Sequence, residues 1–464
     1  MLYILLIILV ILLFMNYLLS NRDFMHPATL FTGVFTVYVF ICCLGQKTYD
    51  ITLAPITVLI ITGGVLTFSA VTLLLSGKNK TAVKKPYEMR QINVSLVWDI
   101  LLILIQIVTI FYFYKYLKSI SLAYDGTTRS LNEMIKLFDT LTKFKTATFE
   151  KMNVTVPLLY RIGNPISAAG AWLCIYVTVN NFVLTKRVRP SQILIILLLV
   201  IQILMNGSRS PLFRIATMVI FLAYFFTYRN SRKRHGSIKT FTKIICAIGV
   251  LGIVMLAVLI VMGRWSSNNK ILSEVFIYAG APVVNLDTYL ISGKFGISKL
   301  FGAQTFRGLY LYMAKWSHIS AFHFGGISSF SHSHNGIEIG NVYTMYYKYI
   351  YDFGYWGVIP LTALQAWYYI WTHQRIKYWP KKHAKDVIDL RVFFYAYLIN
   401  DLIMSAFSSR FYETVFDAPF IKLVVCVWLL DTFILERAIK IGNTRITLAV
   451  KTSSQYGLND PVMK

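Results

Sequence analysis

The chain carries little charge and few acidic residues. Only 14% of its 464 residues are Asp, Glu, Lys or Arg, and 56% are hydrophobic, whereas soluble domains contain about 25% charged residues. The mean hydropathy is +0.58. Long apolar runs recur from one end of the sequence to the other. This composition leaves no room for a separate soluble domain and predicts a single integral membrane domain over residues 1–464.

The chain is also poor in the patterns that build disulfide frameworks and zinc sites. Its five cysteines lie in apolar stretches, with no CxxC pair and no histidine at metal-ligand spacing. Neither a disulfide nor a metal site is therefore expected. No convincing internal repeat is present either, which disfavours the inverted-repeat transporter architectures.

The apolar runs are long enough to cross a membrane about eleven times. A span needs roughly 20 mainly apolar residues, and backbone groups in lipid must be paired within their own segment. The sequence therefore predicts an all-α, polytopic fold. The first 20 residues lack a basic start and a cleavage pattern, so we expect a retained helix and not a signal peptide. The predicted spans are 2–20, 27–45, 51–75, 94–114, 157–184, 191–206, 211–228, 241–262, 345–371, 390–408 and 417–436.

Lysine and arginine collect in alternate connections between the predicted spans. Basic runs occupy residues 77–90, 185–189, 228–239 and 373–385. Because cytoplasmic loops are enriched in Lys and Arg, eleven spans place the N-terminus outside and the C-terminus in the cytoplasm of a bacterial inner membrane. The same rule accounts for the net charge of +26, so nucleic-acid binding is not expected. The same cationic loops are expected to interact favourably with the anionic headgroups of membrane lipids.

Two long connections face outward in this topology, residues 115–156 and residues 263–344 between the eighth and ninth spans. Long loops are uncommon unless they are functional. The second loop holds four of the eight histidines of the chain: His318, His323, His332 and His334. Two of its pieces, 273–291 and 305–316, are apolar or amphipathic, and we expect them to lie along the membrane surface as interfacial helices.

Isolated arginines stand at the outward mouths of the predicted spans. They are Arg209, Arg264, Arg307 and Arg410, with Arg161 and Arg214 in more apolar surroundings. Arginine stays charged when partly desolvated, and its fork of donors suits phosphate and pyrophosphate oxygens. The alternative is a snorkelling anchor that binds no ligand. That alternative is weaker for Arg209 and Arg214, because they bracket a Gly-Ser-Arg-Ser-Pro break between two spans.

A second group of polar residues lies in the segment 331–359, at the entry to an aromatic span. His334 and Asn335 are predicted just outside the bilayer, and Asp352 within its outer part. An ionisable group inside a membrane is costly and is a functional candidate by default. The alternatives are a loop histidine bonded to backbone and an aspartate paired with a neighbouring Tyr or Lys348.

Four features carry a resemblance to a known family: the hydropathy layout, the large outward loop, the motif GSRSPLFR at 207–214 and the stretch SHSHNGIEIGNVYTMYYKYIYDFGYWG. In these features the chain resembles the bacterial O-antigen and polysaccharide repeat-unit polymerases of the Wzy type. It is more distantly similar to O-antigen ligases. The resemblance implies a GT-C-like membrane glycosyltransferase that needs no metal or other cofactor. Donor and acceptor would both be oligosaccharides on undecaprenyl pyrophosphate, and a separate chain-length regulator is an expected partner.

The resemblance also implies roles for individual residues. Arg209, with Arg214, would match the arginine of the GSRS motif and hold the donor pyrophosphate. His334 would be the general base, and Asp352 would orient or replace it. Tyr343 would stack on a sugar ring. Further substrate contacts are expected from Arg264, Arg307, Asn335, Asn341 and Arg410.

Two other functions remain open from the sequence. A lipid-linked oligosaccharide flippase or polysaccharide transporter would also use intramembrane charge, and Asp401 in the tenth predicted span favours it. The long outward loop and the placement of unusual charges on one membrane face speak against it, since a transporter needs a midplane site. A membrane-bound acyltransferase is a weaker alternative. Such enzymes usually have a buried histidine in the middle of a span, whereas the sequence places His26 near a span boundary and no histidine at mid-membrane.

Overall fold

The computed structural model describes most of the chain. It covers residues 1–76, 89–143, 146–208, 210–230, 271–293, 300–317, 330–333, 335–378, 388–434, 439–441 and 444–446. The predicted span 241–262 and the candidate residues Arg209, Arg264 and His334 lie outside these described residues.

Helices make up nearly all of the described secondary structure, which confirms the all-α prediction. They are α1 (Leu2–Leu19), α2 (Pro27–Tyr49), α3 (Pro55–Ser76), α4 (Leu96–Asp125), α5 (Leu131–Lys143), α6 (Thr146–Lys151), α7 (Leu158–Thr185), α8 (Pro190–Met205), α9 (Ser210–Asn230), α10 (Ile271–Ala279), α11 (Ala281–Ser292), α12 (Arg307–Ser317), α13 (Tyr346–Phe353), α14 (Val358–Tyr378), α15 (Leu390–Ile403), α16 (Phe411–Val415) and α17 (Ala418–Ile434).

The strands among the described residues are short and form two antiparallel pairs. One pair joins β1 (Ser331–His332) to β2 (Glu338–Gly340), and the other joins β3 (Ile439–Ile441) to β4 (Thr444–Ile446). The first pair is a hairpin within the long loop before the last predicted spans. Neither pair is large enough to add a β domain to the helical bundle.

Among the described residues, six helices are long and apolar enough to cross a membrane: α1, α2, α3, α4, α7 and α9. Helix α8 is apolar but shorter, at 16 residues. The protein is thus an all-α membrane protein. The first seven predicted spans each coincide with a helix to within a few residues, apart from α4, which continues to Asp125. A total of eleven spans stays a prediction.

The predicted single span at 345–371 is two helices instead. Helix α13 ends at Phe353, a 3-10 turn covers Gly354–Gly357, and α14 starts at Val358. Gly354 has a φ of +62°, a left-handed conformation that residues with a side chain rarely adopt. At Gly357 a Cβ would lie 2.8 Å from the Tyr349 carbonyl oxygen. These two glycines allow the tight break, which apolar content alone does not reveal.

The connections between helices gather at two ends of the bundle. At the end that we call the basic end, Arg229 donates to the Ile376 carbonyl (2.7 Å) and Arg189 to the Val94 carbonyl (2.6 Å). At the opposite end, the Met345 amide donates to the Ser405 carbonyl (2.9 Å). The described basic residues of the first end include Arg22, Arg90, Lys186, Arg187, Arg189, Arg229, Arg375, Lys377 and Arg391.

The predicted outward loop 115–156 is largely helical. Helix α4 has 30 residues and is about 45 Å long, so it outruns a hydrocarbon core of about 30 Å. Amphipathic α5 folds back onto its last turns. Met134 and Leu141 of α5 are buried there against Phe113, Leu117 and Ile120 of α4 in a small core of their own.

Helix α11, which forms the second half of the segment expected along the membrane surface (273–291), packs against the bundle. In α11, Val283, Val284 and Leu286 are buried in the main core. Asp287 accepts hydrogen bonds from the Ala54 amide (2.8 Å) and the Thr57 hydroxyl at the start of α3. An aspartate at a helix N-terminus pairs with amides that lack partners in the helix. This contact holds α11 against the start of α3, and the hydropathy of the segment does not predict it.

The first residue of α13, Tyr346, anchors this helix in the bundle. Tyr346 is fully buried, and its ring stacks on Phe35 of α2 at a centroid distance of 5.4 Å. Its ring also lies against Gly64 of α3, where a Cβ would overlap the ring edge. A glycine at this position lets the ring reach the α3 backbone. The insertion fixes α13 and therefore the polar residues that follow Tyr346.

Candidate functional site

Four basic side chains gather around the short helix α16 at the end of the bundle opposite the basic end. We call Arg214, Arg307, Lys348 and Arg410, with the carboxylate of Glu413, the cation cluster. Lys348 of α13 forms an ion pair with Glu413, and Arg410 Nη1 lies 3.7 Å from Glu413 Oε2. The charge of Arg307 also acts on Glu413. The site is therefore built from residues of α9, α12, α13 and α16.

Glu413 is ionised by its surroundings. Burial by itself raises the pKa of the Glu413 carboxyl, but the positive charge of Lys348, followed by those of Arg410 and Arg307, outweighs burial and holds the pKa below its ordinary value. A carboxylate that stays charged is a poor proton acceptor at neutral pH. Glu413 thus serves to hold the cations close together against their mutual repulsion.

Arg214 joins the cluster through the next residue of α16. Its Nη2 donates to Asp401 Oδ1 (2.7 Å) and to the Thr414 hydroxyl (3.3 Å), and its guanidinium lies 4.4 Å from the centre of the Tyr397 ring. Asp401 is fully buried. These contacts tie α9, α15 and α16 together. They occupy the terminal nitrogens of Arg214, so this side chain positions the cluster.

Arg307 and Arg410 have donors that the described part of the chain leaves unused. The Nε atoms of both side chains are buried and have no hydrogen-bond partner among the described residues. A buried unsatisfied donor is costly, and more so when it is charged. An anion placed between the two guanidinium groups would satisfy these donors, because carboxylate and phosphate oxygens match the geometry of arginine.

Close backbone packing brings Arg307 to α16. Gly308, the next residue of α12, faces the link between α16 and α17, and a Cβ there would lie 3.2 Å from the Phe416 carbonyl oxygen. The ring of Phe306 packs edge-on against Tyr412 (5.7 Å) and Phe416 (5.2 Å). The start of α12 is thereby held against α16, which places Arg307 beside Glu413.

Asp352 holds the turn that precedes α12. Its carboxylate accepts hydrogen bonds from the amides of Gln304 (3.1 Å) and Thr305 (2.6 Å). The sequence placed Asp352 in the outer part of a span as a base or its orienting group. In the structure it lies on the short helix α13, and both carboxylate oxygens receive backbone bonds. Asp352 therefore positions Arg307.

The other candidate residues of the long loop lie around the β1–β2 hairpin and the start of α13. Asn335, in the hairpin turn, donates to the Thr48 carbonyl at the end of α2 (2.8 Å) and accepts from Ser333 (2.6 Å). Asn341 is half-buried just after β2. Tyr343 stacks on Tyr347 with ring centres 4.4 Å apart.

A second group of ionisable residues is buried at the basic end. We call Asp23, His26, Tyr224, His373 and Lys377 the Asp23 cluster. The Asp23 carboxylate accepts from Lys377 (2.6 Å) and Tyr224 (2.8 Å), and His373 Nε2 lies 3.7 Å away. His26, just before α2, packs against the His373 ring. Burial lowers the pKa of His26 to about 4 against the opposing charge of Asp23, and Lys377 adds to the decrease.

Sequence reasoning selected three of the clustered arginines but missed Glu413 as their common partner. The spacing of Arg410 and Glu413, three residues apart, was the available signal, because such residues are neighbours on a helix. Glu413 is also one of only 20 acidic residues in a chain with 46 basic ones. Nothing in the sequence connects Lys348 or Thr414 to this position.

No family model, no curated protein and no solved structure matches this chain. Among the described residues, no group of three or more His, Cys, Asp and Glu could hold a metal ion. In the cation cluster, the Nε donors of Arg307 and Arg410 lack a partner among the described residues and point to an anionic ligand.

Proposed function

We propose that this protein polymerises lipid-linked oligosaccharide repeat units at the outer face of a bacterial inner membrane. It transfers the growing glycan from undecaprenyl pyrophosphate to a repeat unit carried by a second undecaprenyl pyrophosphate. The observation that carries the proposal is the cation cluster, in which the buried Nε donors of Arg307 and Arg410 have no hydrogen-bond partner among the described residues. The pyrophosphate of the donor supplies the anion.

In the proposed reaction, a hydroxyl oxygen of the acceptor unit attacks the anomeric carbon of the donor glycan. The bond from that carbon to the pyrophosphate oxygen breaks, and undecaprenyl pyrophosphate leaves with the electron pair. Negative charge grows on the leaving oxygen, where preorganised cationic donors lower the barrier. The hydroxyl proton passes to a base, for which His334 is the proposed residue. Arginines in this role need no metal ion.

The clustered residues divide into two proposed roles. Arg307, Arg410 and Lys348 contact the pyrophosphate, with Arg209 as an additional contact. Arg410 is 37% exposed and Lys348 13% exposed, so the site opens on the Arg410 side. Arg214, Asp401 and Asp352 position these groups through α16 and α12. The contacts expected of Arg264, Asn335, Asn341 and Tyr343 belong to the glycan portion of donor and acceptor.

The proposed orientation follows from the basic end of the bundle. Short loops rich in Lys and Arg stay in the cytoplasm. With the basic end inside, the cation cluster and the N-terminus face outward, the C-terminus lies in the cytoplasm, and the site reaches lipid-linked substrates from the outer leaflet. A separate chain-length regulator would meet the protein on the same face.

A flippase is the second candidate function, and the buried pair of Arg214 and Asp401 favours it. Ion pairs inside a helical bundle mark substrate or ion pathways in many transporters. Against a flippase, Arg214 and Asp401 are joined by direct hydrogen bonds, and the pair lies next to the cation cluster, which is only partly exposed. The two functions predict different defects when the gene is deleted.

Deletion and restoration of the gene distinguish the two functions. Surface glycan from deleted and complemented cells is separated on a gel. We expect the deletion to reduce a ladder of lengths to a single repeat unit, and the gene to restore the ladder. Loss of all surface glycan, with repeat units retained in the cytoplasmic leaflet, would identify a flippase and refute the polymerase.

A further inference from the structure

A groove lies between four helices at the basic end of the bundle. Its apolar lining comes from Leu102 of α4, Leu173 of α7, Ile195 of α8 and Leu430 of α17. Helix α7 packs against both α4 and α17 and forms the floor. The groove encloses about 430 Å³ and is partly open. It is therefore a space between helices that a ligand from the membrane can enter.

The mouth of the groove lies at the level where the helices end. Asp99, in the first turn of α4, accepts a hydrogen bond from the hydroxyl of Ser191 (2.6 Å), the second residue of α8. Ile388, which also lines the groove, lies two residues before α15 begins. Leu102 and Ile195 lie about one helical turn deeper. The groove thus runs from a polar mouth at the end of the bundle to an apolar interior.

The carboxylate at this mouth has no cationic partner in the part of the chain that the structure describes. Asp99 lines the groove and is only 4% exposed. The Ser191 hydroxyl is the one described donor to its side chain, and it bonds to Oδ2, so Oδ1 receives none. A buried carboxylate without a cation is costly, and inside a membrane it is a functional candidate. A positively charged ligand would supply the partner.

A guanidinium lies at the same mouth. Arg189 donates through Nη1 to the carbonyl of Val94, another residue that lines the groove (2.6 Å). Within the described ranges, no ion pair joins Arg189 to Asp99, and no further hydrogen bond takes up the Arg189 donors. The neighbouring Asp389 and Arg391 are bonded to each other (3.0 Å). The mouth therefore presents a negative and a positive group at separate positions.

We infer that the groove binds a zwitterionic aminophospholipid, with its ammonium group on Asp99, its phosphate on Arg189 and an acyl chain in the apolar interior. Ammonium N–H groups donate to a carboxylate, and phosphate oxygens match a guanidinium. Trp98, which also lines the groove, is of a residue type that is enriched at the level of lipid headgroups. In the proposed orientation this lipid belongs to the cytoplasmic leaflet.

This site differs from the general attraction between basic loops and anionic lipids. That attraction acts on any acidic headgroup and requires no groove. The Asp99 carboxylate repels an anionic headgroup and attracts an ammonium group, so charge selects a zwitterionic amine. The inference does not depend on the proposed polymerase, because the groove lies at the end of the bundle opposite the cation cluster.

The test measures lipid binding to the full-length protein in detergent micelles by native mass spectrometry. The probes are phosphatidylethanolamine, phosphatidylcholine and phosphatidylglycerol with identical acyl chains. Phosphatidylcholine has the same charges but no N–H donor on its ammonium group, and phosphatidylglycerol has no ammonium group. We expect phosphatidylethanolamine to bind about tenfold or more tightly than either. It should also raise the melting temperature most, because a ligand of the folded state stabilises it.

Substitutions at the mouth test the two charged groups separately. Asp99→Asn keeps the shape of the side chain, removes its charge and should abolish the preference for phosphatidylethanolamine. Arg189→Gln should weaken the binding of all three lipids, because each carries a phosphate. Arg187→Gln is the matched control, since Arg187 is exposed in the same connection between α7 and α8. It should bind like the parent protein.

The three lipids on the parent protein decide the question even if a variant fails to fold. Equal affinity for phosphatidylethanolamine and phosphatidylcholine would overturn the inference and leave a groove for acyl chains alone. Preference for phosphatidylglycerol would overturn it in favour of an anionic lipid. An Asp99→Asn variant that keeps the preference would exclude Asp99 as the ammonium partner and also overturn it. Equal losses in Arg187→Gln and Arg189→Gln would refute the phosphate contact of Arg189.

Discussion

The guanidinium of Arg214 donates two hydrogen bonds to the carboxylate of Asp401, which lies 187 residues further along the chain. The bonds measure 3.3 and 2.7 Å, and the Asp401 side chain is fully buried. The pair connects α9 to α15, and the Thr414 hydroxyl extends it to α16. The position of the cation cluster therefore depends on a contact formed inside the bundle.

Breaking this pair should destabilise the protein strongly. Arg214→Met or Asp401→Asn leaves the other charge buried without its partner, which costs about 3–5 kcal/mol. We expect a markedly lower melting temperature for each single variant in detergent, followed by intrinsic fluorescence. The double variant should recover part of the loss, because no lone charge remains. Single variants that melt like the parent protein would show that water or lipid headgroups compensate the charge.

Removal of Arg410 should impair glycan extension without unfolding the protein, because its side chain is partly exposed at the edge of the cluster. Arg410→Ala removes one charged donor and should slow extension by roughly 10²-fold, which appears on a gel as a loss of long products. Arg410→Lys should be intermediate, since lysine keeps the charge but lacks the planar fork.

Arg161→Ala is the matched control for Arg410. Arg161 is exposed near the start of α7, on the same end of the bundle, and carries the same charge. We expect its removal to leave the ladder unchanged at equal membrane levels. A ladder that shortens equally in both variants would attribute the effect to total positive charge at this end and would contradict a specific anion site at Arg410.

Two adjacent glycines in α3 should respond differently to alanine. A Cβ at Gly64 overlaps the ring of Tyr346, whereas Gly63 has nothing within 4 Å. Overpacking a filled core costs about 1–3 kcal/mol, so Gly64→Ala should lower the melting temperature while Gly63→Ala maintains or raises it. Because α13 begins at Tyr346, Gly64→Ala should also reduce extension by displacing Lys348.

The Tyr346 hydroxyl offers a rescue of the Gly64 variant. It is buried without a hydrogen-bond partner among the described residues, and it is the atom nearest to the added Cβ. Tyr346→Phe should therefore be close to neutral alone and should restore part of the stability lost in Gly64→Ala. If Tyr346→Phe alone destabilises the protein by several degrees, the hydroxyl has a partner in the membrane-embedded protein.

His26 should make stability depend on pH at the basic end. Its folded-state pKa of about 4 lies below the ordinary value of 6.5. Its contribution is therefore complete above pH 6.5 and is lost as pH falls towards 4, with about 3 kcal/mol available from this shift. His26→Asn keeps a capping side chain for α2 but cannot titrate. Its melting temperature should fall less between pH 7 and pH 4.5 than that of the parent protein.

Asp23, His373 and Lys377 also face His26. The comparison must therefore be made between His26→Asn and the parent protein, and not between two pH values of one protein. Identical pH profiles for His26→Asn and the parent protein would show that His26 does not carry the effect. A profile displaced in the opposite direction would show that the histidine is stabilised in its charged form by Asp23.

Most of the helices could be predicted from the sequence because the signal is local. An apolar run must form a helix in lipid to pair its backbone, so α1 to α3 and α7 to α9 follow from run length. The collection of lysines and arginines in alternate loops is equally local. The break at Gly354 was missed, since apolar content continues across it and only the φ of that glycine shows the end of α13.

The candidate site was predictable only as separate pieces. Arg214, Arg307 and Arg410 were recognised one by one, as arginines near the ends of apolar runs, and the sequence determined their charge and approximate depth. Only the tertiary structure decided that they meet at Glu413, because this depends on the fit of Gly308 against the Phe416 carbonyl and of Tyr346 against Gly64. Such contacts join residues far apart in the chain and arise from shape, which no local pattern of hydropathy or charge records.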